Sequence, residues 1–144
     1  MTLADEAATE QFGTRLAQSL RSGDVITLSG PLGVGKTALA RAIIRSLGHE
    51  GEVPSPSFAI VQPYEDVDPA VWHVDLYRIE DSGELDELGL DSVSDVALLV
   101  EWPERVGDDW WTGALRLTLD FEQGGARRLT ADVPRSWQQR WPPE

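Results

Sequence analysis

The segment VITLSGPLGVGKTALARAII, Val25 to Ile44, constrains the fold of this chain more than any other. Its centre, GPLGVGKT, fits G-x-x-x-x-G-K-[ST] with Gly30, Gly35, Lys36 and Thr37. Four such positions coincide by chance in roughly one of a few hundred chains of this size, so the flanks must decide. A short apolar run precedes the glycines and a helical pattern follows them, which is the context a phosphate-binding loop requires. Glycines let the backbone turn with its N–H groups pointing inward, and the next helix adds its positive end to the same hollow. Gly33, Val34, Gly35, Lys36, Thr37 and Ala38 are the candidate nucleotide-binding stretch. Lys36 suits the β- and γ-phosphates, and the Thr37 hydroxyl suits Mg²⁺. Lys36 is the one lysine beside eleven arginines. A chain that draws its surface charge from arginine keeps a compact ammonium at this position.

The remaining pattern extends this unit into an α/β fold. TEQFGTRLAQSLRSGD spaces Phe12, Leu16 and Leu20 as a helix stripe ended by Gly23. KTALARAIIRSLG reads as the helix after the loop, stopped by Gly48. FAIVQPY, VWHVDLY and DVALLVEW read as strands, and SGELDELGL as one or two helical turns. ALRLTLDF and RRLTADV alternate apolar and polar around EQGGA, a hairpin signal. The pattern predicts a three-layer, P-loop NTPase-like sheet with helices on both faces and a C-terminal antiparallel hairpin at one edge. One domain over 1–144 is expected, with 135–144 a loosely attached tail.

Composition narrows the function classes. There are no cysteines, so disulfide frameworks and thiolate metal sites are excluded. No apolar run approaches the roughly 18–20 residues of a membrane span. The start MTLADEAATEQF lacks the basic-then-apolar order of a secretory signal, and a cytoplasmic protein is expected. The net charge of −13 comes wholly from residues 51–144, which carry seven bases and twenty acids. Phosphate backbones are held by basic clusters, so a direct grip on nucleic acid is disfavoured. The acidic face serves either solubility or docking to a basic protein.

A phosphate-transfer site also needs acids for the metal and for the attacking water. Asp75 ends the strand VWHVD and Glu101 ends ALLVE; both would collect at the sheet edge beside the loop. Each alternatively caps the turn that follows it. VPSPSF offers Ser55 and Ser57 as γ-phosphate sensors, or is a proline-stiffened connection. His73 is a structural histidine or a general base. Trp102 could stack on a base. Arg127 and Arg128 contact nucleotide or a partner, or decorate the hairpin. The absence of an N-K-x-D element favours adenine over guanine.

Taken together, GPLGVGKT, VPSPSFAIVQPY, HVDLYRIEDSGELDELGLD and LLVEWPER resemble the TsaE (YjeE) family over about residues 5 to 133. HVDLYR and VEWPE are more specific to that family than the loop is. The family consists of small bacterial P-loop ATPases of tRNA N6-threonylcarbamoyladenosine (t6A) biosynthesis that act with TsaB and TsaD. The resemblance implies ATP/ADP and Mg²⁺ as ligands, and contact with tRNA only through partners. It implies Lys36 on phosphate and Thr37 on Mg²⁺. It places Asp75 near metal or water, and makes Glu101 a Mg²⁺ ligand. By this reading Lys36, Asp75 and Glu101 carry catalysis. It also puts Ser55, Pro56 and Ser57 in a switch-like loop, and Thr9, Gly13 and Arg128 at the nucleotide. This chain departs from the family in having Ser57 for threonine, Val74 for phenylalanine, and a tail, SWQQRWPPE, without a counterpart.

The mechanism expected is attack of water on the γ-phosphate, slow in the isolated chain and faster with partners. Two rival readings share the loop. A small kinase would pass phosphate to an acceptor, but the chain is short and shows no arginine-rich lid. A nucleotide-dependent interaction module would bind without appreciable hydrolysis.

Overall fold

The computed structural model describes residues 1–54, 61–80, 83–89 and 95–143. Seven strands form one mixed sheet: β1 (Thr2–Leu3), β2 (Val25–Ser29), β3 (Val61–Tyr64), β4 (Val71–Asp75), β5 (Ala97–Glu101), β6 (Leu115–Phe121) and β7 (Arg127–Asp132). Their spatial order is β1-β7-β6-β2-β5-β4-β3. The four central strands, β6, β2, β5 and β4, are parallel. β3 and β7 flank them in antiparallel sense, as the hairpin pattern of the sequence implies for β7. β1, unforeseen because two residues carry no periodicity, adds to β7 and becomes the edge.

Helix α1 (Glu6–Ser19) starts three residues before the TEQF pattern, because Asp5 caps it by accepting from the Ala8 N–H at 2.8 Å. Helix α2 (Lys36–Ser46) follows the glycine loop directly. Both pack on one face of the sheet. Phe12, Leu16, Leu39, Ile43 and Ile44 meet Ile26, Leu28 and Leu99 there. The helices touch closely at Gly13, where a Cβ would stand 2.6 Å from the Ala42 Cβ. Gly13, implied by resemblance to lie at the nucleotide, is therefore explained by helix packing.

The opposite face is covered by shorter pieces: α3 (Gly83–Leu88) and 3-10 turns at Pro103–Val106 and Asp108–Trp111. Val74, Leu76, Leu98, Val100 and Trp111 form its core. β5 thus sends Leu99 to one core and Leu98 and Val100 to the other, which is why ALLV is uniformly apolar. Among the described residues no helix is long and apolar enough to cross a membrane.

The expectation of a loose tail over 135–144 is overturned for its described part. Arg135–Arg140 form a 3-10 segment, and Trp137 is 1% exposed within the main core. Arg140 donates to both Asp24 carboxylate oxygens, at 2.7 and 3.1 Å, and to the Ser19 carbonyl at the end of α1. Its guanidinium lies 3.9 Å from the Trp137 ring centroid, and Trp141 meets Phe12 edge-on at 6.0 Å. These partners lie more than a hundred residues upstream, so local pattern could not reveal them.

Candidate functional site: a P-loop with buried acids at the strand ends

Parallel pairing brings the chemistry-bearing residues to one sheet edge. Leu28, two residues before Gly30, pairs with Glu101, and Glu101 pairs with Asp75 on its other side. The strands therefore end level, and β2 delivers the glycine loop beside both acids. The loop needs its first glycine: Gly30 has φ +143°, and a Cβ there would fall 2.3 Å from the Leu119 carbonyl oxygen.

Lys36 opens α2 and is 4% exposed. Its Nζ donates to the Gly30 carbonyl and, at 3.4 Å, to the Pro31 carbonyl. It also lies 3.5 Å from the Trp102 ring centroid. Burial lowers its pKa, and the fields of Glu101, Glu104 and Asp75 oppose that shift. Trp102 reaches this position through a left-handed backbone at φ 60°, with its N–H on the Leu28 carbonyl at 3.3 Å. The ring that the sequence suggested for base stacking lies on the loop lysine and on Tyr77, 4.9 Å away.

Thr37 Oγ1 donates to the Glu101 carboxylate, 2.9 and 3.0 Å from its two oxygens. His73 Nε2 approaches Glu101 Oε2 at 2.6 Å, and both side chains are buried. Asp75 accepts the Tyr77 N–H at 2.9 Å, so it does cap its turn while standing next to Glu101. Burial raises the Asp75 pKa; the Tyr77 N–H, His73 and Lys36 pull it back, and Glu101 adds to the rise.

Among the described residues no group of three His, Asp or Glu side chains forms a ready-made metal cage. Mg²⁺ at a nucleotide needs none, because it takes one or two protein oxygens plus phosphates and waters. Thr37 Oγ1 and the Glu101 carboxylate, within 3.0 Å of each other, are hard oxygen donors that fit it.

A cavity of about 640 Å³ adjoins the outer side of the loop. Thr9, Gly33, Val34, Ala38, Arg41 and Arg127 are among its lining residues, and Gly35 joins them. Lys36, Thr37, Asp75 and Glu101 are not in its wall; the loop runs from the cavity directly into them. Its size suits a small organic ligand.

The hairpin arginines part company. Arg127 donates from Nε to the Val34 carbonyl at 2.8 Å and reaches the cavity. Arg128, the one chosen by resemblance, is 62% exposed and pairs with Glu122 at 2.8 Å, outside the cavity wall. A signal for this was present in the sequence. Arg127 has the parity of Leu129, which faces the helices, and Arg128 has the other. Ser55, Pro56 and Ser57 lie outside the described residues.

Comparison with known proteins follows this geometry. The family model for threonylcarbamoyl adenosine biosynthesis protein TsaE matches residues 3–129. The tRNA threonylcarbamoyladenosine biosynthesis protein TsaE of Streptomyces coelicolor is 43% identical over 143 residues, covering 85% of this chain and 95% of its own. The protein of the same name from Mycobacterium tuberculosis H37Rv is 40% identical over 117 residues, 74% of this chain and 70% of its own. Among solved structures, YdiB from Bacillus subtilis superposes with a TM-score of 0.77 at 25% identity, over 96% of this chain and 87% of that one. The resemblance carried by HVDLYR and VEWPE therefore holds across most of the sequence, and the chain belongs to the TsaE family.

Proposed function

We propose that this chain binds Mg·ATP and hydrolyses it as the ATPase component of t6A biosynthesis, working with TsaB and TsaD and meeting tRNA only through them. The observation that carries this is the Thr37–Glu101–Asp75 cluster, its two acids buried, standing beside the buried Lys36 at the end of the glycine loop. A plain tight turn has no use for three buried ionisable side chains, Lys36, Asp75 and Glu101.

The residues have separable tasks. Lys36 exchanges the Gly30 and Pro31 carbonyls for phosphate oxygens, keeping its charge inside a poorly solvated site where that charge acts strongly. The loop amides and the start of α2 hold the phosphate chain in place. Thr37 and Glu101 would hold Mg²⁺. Bound there, Mg²⁺ would supply charge neutralisation to the phosphate oxygens. Asp75 orients the attacking water, and the rise that burial gives its pKa favours its taking the proton. Arg127, Thr9 and Ala38 flank the cavity in which the nucleoside would lie.

Asp75→Asn tests the last assignment and carries a sign. Because burial raises the folded-state pKa, the ionised carboxylate costs stability above that pKa, and stability is regained as pH falls through it. Asn removes the charge and keeps an oxygen for the Tyr77 N–H. Thermal denaturation at pH 7 should show an equal or higher midpoint, while phosphate release falls roughly 10²-fold or more. A lower midpoint with normal turnover would reassign Asp75 to turn capping alone.

The two hairpin arginines make an internal control. Arg127→Ala should weaken ATP affinity about tenfold by titration calorimetry, the value of one charge-assisted hydrogen bond. Arg128→Ala removes an exposed pair and should change affinity by less than about twofold. The reverse order would move the nucleoside to the other face of the hairpin.

Phosphate release by the purified chain, with and without the TsaB–TsaD pair, tests the whole proposal. A low basal rate that rises with the pair is expected. Nucleotide-dependent capture of the pair without phosphate release would make the chain an interaction module. Release that requires an added hydroxyl acceptor would make it a kinase.

A further inference from the structure

His73 on β4 has one ring nitrogen engaged and one idle. It is fully buried; Nε2 lies 2.6 Å from Glu101 Oε2, and Nδ1 has no hydrogen-bond partner among the described residues. Glu101 accepts from Thr37, so it is a carboxylate acceptor toward His73 as well, and Nε2 carries the proton. An unpaired buried nitrogen costs free energy that an apolar side chain of similar size avoids. Packing alone therefore does not account for an imidazole here, whereas the bond to Glu101 does.

The register explains what the bond accomplishes. His73 and Asp75 share a face of β4, and Asp75 pairs with Glu101 on β5. Glu101 has three side-chain torsions that must be fixed for its oxygens to stay in place. It is also the acid whose field acts most strongly on Lys36. Rotation toward Lys36 would pair the two groups and withdraw both from a nucleotide.

We propose that His73 is a positioning residue: its Nε2–H holds the Glu101 carboxylate against Thr37 Oγ1 and thereby sets the oxygen pair that takes Mg²⁺. The proposal rests on the Mg·ATP reading above. Groups that orient a metal-binding side chain through one hydrogen bond typically change metal affinity or activity 10–100-fold when removed.

The test is the Mg²⁺ dependence of affinity for a fluorescent, non-hydrolysable ATP analogue in wild type, His73→Leu and His73→Gln. In wild type, affinity tightens as Mg²⁺ is raised. His73→Leu should keep its metal-free affinity within about twofold and lose roughly 10–100-fold in apparent Mg²⁺ affinity. His73→Gln, whose amide N–H falls where Nε2 was, should recover most of that loss. Wild-type Mg²⁺ dependence that survives in His73→Leu overturns the proposal and leaves the Mg·ATP reading standing. Equal losses in Leu and Gln, or a loss already present without metal, also overturn it, because packing would then be the cause. Absence of any Mg²⁺ dependence in wild type removes the Mg·ATP reading and the proposal together. Should His73→Leu not fold, the wild-type ring decides by NMR. Its Nε2–H proton, assigned by its disappearance in His73→Gln, should lie far downfield and shift on Mg²⁺ addition with the analogue. A resonance at an ordinary position, or one unmoved by Mg²⁺, overturns the proposal.

Discussion

On the proposed Mg·ATP reading, Lys36→Met should abolish ATP turnover and weaken nucleotide binding at least a hundredfold, while the folded state survives. The two halves of this expectation have different causes. Lys36 is the cation at the head of α2, buried and bonded to two loop carbonyls that a phosphate would replace. Removing a preorganised charge from such a site costs roughly 10²–10³ in rate, more when binding is lost as well. Stability behaves otherwise. Burial disfavours the ammonium in the folded state, as its lowered pKa records, and Met keeps the stem packed over Trp102. The hydrogen bonds lost and the desolvation relieved are of similar size, so the thermal midpoint should move by no more than about 3 °C. Calorimetric titration with ATP, phosphate release and thermal denaturation check the three parts. Normal turnover by Lys36→Met would sink the site assignment outright.

Trp137→Ala should lower stability by about 3–5 kcal/mol, the range for truncating a buried Trp. Set against the 5–15 kcal/mol that holds a domain of this kind together, that is a large fraction. The thermal midpoint should fall by roughly 10 °C or more. The ring is buried in the main core and lies under the Arg140 guanidinium, which in turn joins Asp24 to the end of α1. The proposed nucleotide site is bonded to other partners, so ATP affinity measured well below the midpoint should change little. A midpoint within about 1 °C of wild type would return residues 135–140 to the status of a loose tail.

Much of the fold is legible in the sequence where a signal is local. The strand–loop–helix unit is written in consecutive residues, because glycine, lysine and threonine must follow one another to surround a phosphate. The stripe of Phe12, Leu16 and Leu20 gives α1, and alternation gives β6 and β7. Local signals misplace ends. α1 begins six residues before its apolar stripe because Asp5 caps it, and β1 is too short to have a period at all. The site divides in the same way. Lys36 and Thr37 follow from the motif, and Asp75 and Glu101 from the rule that strand ends collect at one edge. The role of Arg127 needed the parity of β7 to be combined with knowledge of where the helices lie.

What the sequence by itself determined is the set of groups at the glycine loop and the order in which the chain presents them. Tertiary structure alone decided three matters. It seated Trp137 in the core beneath Arg140, whose partners Asp24 and Ser19 meet that guanidinium only through space. It turned Arg127 and not Arg128 toward the cavity, because the helices cover only one face of the hairpin. And it bound His73, Glu101 and Thr37 into one hydrogen-bonded chain, because parallel pairing of β4, β5 and β2 sets the start of α2 beside Glu101 and joins residues that lie 28 and 64 positions apart. Hydrogen bonds at under 3 Å between such residues depend on sheet register, a property of the folded chain that no single segment contains.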